Sequence, residues 1–239
     1  MPYIKRTVRA GKTVETAKTY MPMLGNHKKR AKQIKLTPEK QRKVNERKAI
    51  NTLTWALNEN FGVGDAHMVL TYRKEYTPSP EQARRDLEKF LRMLRKWCRE
   101  SGKELRYITV TEYKRARIHH HLVIPEIPAR ILYTFWPHGR AHSTPLDDSG
   151  DYRKLAEYLV KETGKSAEED GPRKRRWNQS RNLRPPEISY EVVPAKSWRK
   201  EPRPIKGYYI DKDSLRAGVS DVTGYPYQYY TMIQINRRC

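Results

Sequence analysis

Glu112 lies on one β-branched stretch of the chain, and the next such stretch carries three consecutive histidines, His119, His120 and His121. Side chains of a strand alternate faces, so His119 and His121 point one way and His120 the other. Two imidazoles on one face, roughly 7 Å apart at Cβ, can converge on one ion. A hairpin closing about residues 114–117 brings Glu112 opposite position 119 or 120, within reach of the same ion. Two imidazoles and one carboxylate leave coordination positions open, as a catalytic metal requires. The donor set suits Mg²⁺ or Mn²⁺; the imidazoles shift the preference toward Mn²⁺, and Zn²⁺ is compatible with it. The competing reading is an incidental histidine cluster.

A second group with chemical potential lies on the segment DYRKLAEYLVKET (151–163). At 100° per residue, Tyr152, Leu155, Ala156, Leu159 and Val160 form one apolar stripe. Tyr152 sits at its centre and is expected in the core. Tyr158 lies at its edge, with Lys154 four residues before and Lys161 three residues after, both close enough on a helix to touch it. Ammonium groups beside a phenol favour the phenolate, the attacking form. Lys161 could alternatively bind a phosphate or protonate a leaving group. The plain alternative is an amphipathic helix with a half-buried tyrosine. A third group, Arg173, Lys174, Arg175, Arg176, Arg181 and Arg184, contains no acid over residues 171–185 and suits backbone phosphate. Trp177 among them could stack on an unpaired base. A solvated charged loop is the alternative there.

The elements that would position these groups can be traced in order. Thr37 caps and Pro38 starts a helix to about residue 60. AHMVLTY (66–72) is a short buried strand. TPSPEQARRDLEKFLRMLRKWCRESG (77–102) shows the clearest amphipathic periodicity, ended by Gly102. LRYITVTE (105–112) and IHHHLVI (118–124) are strands joined as a hairpin. A loop with a short strand covers 136–145, a helix runs from Ser149 to Thr163 and ends at Gly164, and late strands cover 187–193 and 229–235. The order indicates an α+β fold in which helices cover an antiparallel sheet.

The charge balance points to the partner. Fifty Lys and Arg stand against 27 Asp and Glu, a formal charge of +23. Such a field concentrates polyanions, nucleic acid foremost. The first 50 residues hold 15 Lys and Arg against Glu15, Glu39 and Glu46, a net +12. The expected division is a basic arm (1–36), a main domain (37–195) and a C-terminal extension packed on it (196–239). No apolar run is long enough to span a bilayer, and no secretory signal opens the chain. Cys98 and Cys239 are expected as reduced thiols of a cytosol.

Taken together these residues resemble the HUH endonucleases, whose two metal-binding histidines flank one residue, as His119 and His121 flank His120. The middle residue is apolar in the family and polar here. Glu112 matches the upstream acidic ligand of the family's replication initiators, Tyr158-Leu159-Val160-Lys161 their Tyr-x-x-Lys motif, and Met68-Val69-Leu70-Thr71-Tyr72 their first motif. The likeness is closest to replication-associated proteins of phages and mobile elements of Gram-positive bacteria, through NENFGVGDAHMVLTY, RIHHHLVI, LAEYLVKET and RWNQSRNLRPPE.

The resemblance implies a central antiparallel sheet with the histidines on a middle strand. It implies metal-dependent nicking of single-stranded origin DNA through a 5′-phosphotyrosine on Tyr158, with rolling-circle replication following. No Walker A motif is present, so a host helicase and polymerase are expected partners. Neither a membrane nor a small-molecule substrate is expected. A transposase or relaxase would share this chemistry. A non-catalytic nucleic-acid-binding protein would share the charge but has no need of Glu112, His119 and His121.

Overall fold

The computed structural model describes residues 2–20, 37–114, 117–170, 177–194, 201–220 and 224–235. The elements are β1 (Pro2–Ala10), β2 (Thr13–Tyr20), α1 (Pro38–Asn60), β3 (Asp65–Thr71), α2 (Pro80–Glu100), β4 (Ile108–Lys114), β5 (Arg117–Pro125), α3 (Ala129–Phe135), β6 (Ala141–Pro145), α4 (Arg153–Asp170), β7 (Asn178–Gln179), β8 (Glu187–Pro194), β9 (Tyr208–Val219) and β10 (Pro226–Gln234). The fold is α+β, with two five-stranded antiparallel sheets. By its contacts the chain forms two units, Met1–Lys48 with Pro185–Cys239, and Ala49–Arg184.

The unit of residues 49–184 contains the sheet β6-β3-β5-β4-β7, so the histidine strand β5 is its middle strand. Strand alternation gives this sheet two apolar faces. Met68, Leu70, Leu122 and Ile124 on one face pack with Phe90 and Leu94 of α2, Leu132 of α3, and Trp136. Ile108, Val110 and Val123 on the other pack with Leu53 and Leu57 of α1 and with Ala156, Leu159 and Val160 of α4. Each such side chain contributes about 1.5–3 kcal/mol by leaving water, so helices on both faces hold the sheet rigidly.

Local sequence explains the helix boundaries. Thr37 Oγ1 accepts from the Lys40 amide (3.4 Å) at the start of α1. Ser79 Oγ accepts from the Gln82 amide (3.2 Å) and Pro80 opens α2, which closes at Gly102 with φ 67°. The helix α4 differs from the sequence expectation at both ends. It begins at Arg153, because Asn58 Oδ1 takes the Tyr152 amide (2.9 Å) and Asp151 Oδ1 the Arg153 amide (3.3 Å). It continues past Gly164 to Asp170, since one interior glycine costs only about 1 kcal/mol.

The other unit contains the sheet β8-β1-β2-β10-β9. Its strands β1 and β2 form a hairpin turned at Gly11, φ 53°, within the segment expected as a basic arm. Strand β1 also pairs with β8, and β2 with β10. This pairing groups the two ends of the chain, so the units differ from the division 1–36, 37–195 and 196–239. Val14, Tyr230 and Met232 form a small core with Tyr208 and Ile210. Among the described residues no helix is long and apolar enough to cross a membrane.

Candidate active site

Register places the histidines. Glu112 of β4 pairs with His119, Thr111 with His120 and Val110 with His121. On the other side of β5, Thr71, Leu70 and Val69 of β3 pair with the same three histidines in turn. Paired residues share a face, so Glu112, His119 and His121 project together toward the side of the sheet that carries α4, and His120 projects to the α2 side.

His120 is buried in the core. Its Nδ1 lies 2.9 Å from Thr111 Oγ1 and its Nε2 3.1 Å from Tyr72 Oη. Burial pushes its pKa down to about 3, with His121 and His119 adding to the effect. Burial, reinforced by Asp86, raises the Tyr72 phenol. The polar middle residue of the histidine run is thus a neutral, hydrogen-bonded core residue against the edge of Trp136.

On the opposite face the Glu112 carboxylate is 1% exposed. Its Oε2 stands 3.6 Å from His119 Nδ1 and 3.5 Å from His121 Nε2. These separations are long for hydrogen bonds. They resemble the roughly 3–3.6 Å between two ligand atoms that each sit 2.0–2.2 Å from one ion. As the side chains stand, no three His, Cys, Asp or Glu among the described residues already form a metal-binding group.

A further histidine joins this face. His67 of β3 lies with Nε2 3.3 Å from His121 Nδ1, the ring centroids 5.5 Å apart and the ring planes at 11°. Burial pushes its pKa down to about 4, with His121 and His142 contributing. Its place beside His121 is invisible along the chain; it follows only from the β3–β5 register, which puts His67 opposite Val123, two positions from His121.

Tyr152, just before α4, and Tyr158 within it stand in different places. Tyr152 is 4% exposed, and its hydroxyl donates to the Asp147 carbonyl at 2.8 Å. Tyr158 is 44% exposed and stands edge-on to His121, centroids 5.4 Å apart at 82°, and to His67 at 6.4 Å. Lys154 and Lys161 are exposed on the same helix. Trp177 is half-buried against the cluster of Leu53 and Leu57, and its Nε1 donates to Gln179 Oε1 at 3.1 Å. Arg181 is exposed, as is Arg184, whose amide donates to Asn60 Oδ1 at 2.7 Å. Arg173, Lys174, Arg175 and Arg176 lie outside the described residues, as does Cys239; Cys98 is a buried free thiol.

Residues 65–166 match the family described as replication-associated protein ORF2/G2P. The match runs from β3 into α4. It includes Glu112, His119, His121, Tyr158 and Lys161 and stops short of Arg173. No curated protein and no solved structure matches the chain.

Proposed function

We propose that this chain is a metal-dependent endonuclease that nicks single-stranded origin DNA with Tyr158 and so initiates rolling-circle replication. The observation that carries this reading is the 5.4 Å approach of the Tyr158 ring to His121, beside the Glu112 carboxylate that faces both His119 and His121. A nucleic-acid binder without catalysis would not need a buried carboxylate between two imidazoles and an exposed phenol at their edge. The replication-associated match supports the biological role.

Glu112, His119 and His121 would hold a divalent ion, Mn²⁺ or Mg²⁺, as an oxygen–nitrogen set with open positions. Bound there, the ion supplies polarisation of the scissile phosphate and neutralises charge that develops in the transition state. Tyr158 Oη gives up its proton to solvent water and attacks the phosphorus in line, and the bond from phosphorus to the 3′ oxygen breaks. The phosphate stays on Tyr158 as a 5′-phosphotyrosine. The 3′ oxygen takes a proton, for which the ammonium of Lys161 is the nearby donor on α4, and leaves as a 3′-OH that can prime synthesis. The ester on Tyr158 conserves the phosphodiester energy, so a later 3′-OH can rejoin the strand. Arg173, Lys174, Arg175, Arg176 and Arg181 hold backbone phosphate, with Trp177 at their edge. A host helicase and polymerase complete replication in the bacterial cytosol.

The test is incubation of the protein with single-stranded origin DNA and Mn²⁺, followed by a denaturing gel. A band of protein covalently joined to DNA is expected with Mn²⁺ and is absent with EDTA. DNA cut to the same extent in EDTA would contradict the proposal.

A further inference from the structure

His121 offers its two ring nitrogens to two different neighbours. Its Nε2 faces the Glu112 carboxylate at 3.5 Å, and its Nδ1 faces His67 Nε2 at 3.3 Å. A neutral imidazole carries one proton, so one nitrogen donates and the other accepts. If Nε2 is to give its lone pair to an ion, the proton must sit on Nδ1. That proton then points at His67 Nε2, which must accept it, leaving the His67 proton on its own Nδ1. Histidine ligands commonly donate the second ring N–H to a carboxylate, a carbonyl or water, and the partner fixes both tautomer and ring direction. Here the partner would be a second imidazole.

We infer that His67 is a positioning residue of the metal site: it accepts the Nδ1–H of His121 close to the plane of that ring and holds its Nε2 toward the ion. The inference rests on the metal-site reading above. Three features of the fold make His67 suited to this. It lies on β3, hydrogen-bonded along its length to β5, so the spacing of the two rings is set by backbone register. The ring planes lie 11° apart, so the Nδ1–H of His121 is directed at His67 Nε2 close to the plane of both rings. And Tyr158 contacts both rings edge-on, so the pair forms one wall against which the phenol rests. A displaced His121 would therefore disturb the ion and the phenol together.

The experiment measures Mn²⁺ binding by titration calorimetry on the full chain in four forms: wild type, His121→Ala, His67→Ala and His67→Gln. Loss of the partner of a ligating histidine weakens binding by roughly 10–100-fold, so His67→Ala is expected to lose affinity in that range. His67→Gln, whose amide oxygen can still accept the Nδ1–H, is expected to recover most of it. Wild-type affinity in His67→Ala, or an equal loss in both His67 variants, overturns the inference while leaving the metal site standing. No Mn²⁺ binding by wild type, or undiminished binding by His121→Ala, overturns the metal-site reading itself. The ¹⁵N spectrum of Mg²⁺-saturated wild type needs no variant and covers the case that His67→Ala does not fold. His67 protonated on Nδ1 with a bare Nε2 supports the inference, and His67 protonated on Nε2 contradicts it.

Discussion

The Tyr158 ring meets the His121 ring edge-on, with centroids 5.4 Å apart and planes at 82°. Six residues earlier, just before the first residue of α4, Tyr152 is buried and its hydroxyl donates to the Asp147 carbonyl. Removing one hydroxyl separates the two. Tyr158→Phe keeps the ring contact, so stability should change by no more than about 0.5 kcal/mol, as for other exposed positions, while nicking is lost. Tyr152→Phe should cost about 0.5–1.5 kcal/mol for the lost hydrogen bond and retain nicking. Urea midpoints paired with a nicking gel check both.

His119→Ala combined with His121→Ala should abolish Mn²⁺-dependent nicking, while DNA affinity falls by less than about threefold, since phosphate contacts from basic residues dominate binding. Filter binding and nicking on the same preparations decide this. Nicking that survives the double substitution would remove these imidazoles from the mechanism.

Neutralising a phosphate-contacting cation should weaken binding to every DNA sequence alike. For Arg181→Gln, or for any of Arg173, Lys174, Arg175 and Arg176 changed to Gln, the log–log salt slope should fall by about 1. An unchanged slope across all five variants would place the DNA elsewhere on the protein.

His120 imposes a pH dependence on stability. Unfolded, it takes a proton near 6.5; folded, burial holds its pKa at about 3. Between these values the unfolded chain binds more protons, so the stability present above about pH 6.5 is lost as pH falls toward 3, by at most about 1.4 kcal/mol per pH unit. Urea denaturation at pH 7 and pH 4.5 should show the loss, and His120→Gln should show a shallower one. Equal losses in both proteins would mean that another group controls acid unfolding.

What was legible along the chain was what local pattern encodes. The apolar stripe and Gly102 mark α2, and the alternating stretches around YKRAR mark the β4–β5 hairpin, which puts Glu112 opposite 119 or 120; the register pairs it with His119. The edge position of Tyr158 and the buried position of Tyr152 followed from helical rotation alone. In the sheet of the terminal unit, β8 and β10 were legible as late strands, but β1, β2, β9 and the pairing were not. Lys5, Arg6 and Arg9 of β1, and Asp211, Lys212 and Asp213 of β9, mask strand character with charge, and pairing between β1 and β8 spans almost the whole chain. His67 was missed for the same reason: its partnership with His121 exists only through long-range register.

The central claim is that Tyr158 is the nucleophile. The most direct measurement is protease digestion of the covalent protein–DNA adduct formed with Mn²⁺, followed by mass spectrometry of the DNA-bearing peptide. Attack by Tyr158 predicts a phosphodiester on Tyr158 within LAEYLVK and no adduct from Tyr158→Phe. DNA attached to Tyr152 or to any other residue, or an adduct that persists in Tyr158→Phe, would contradict it.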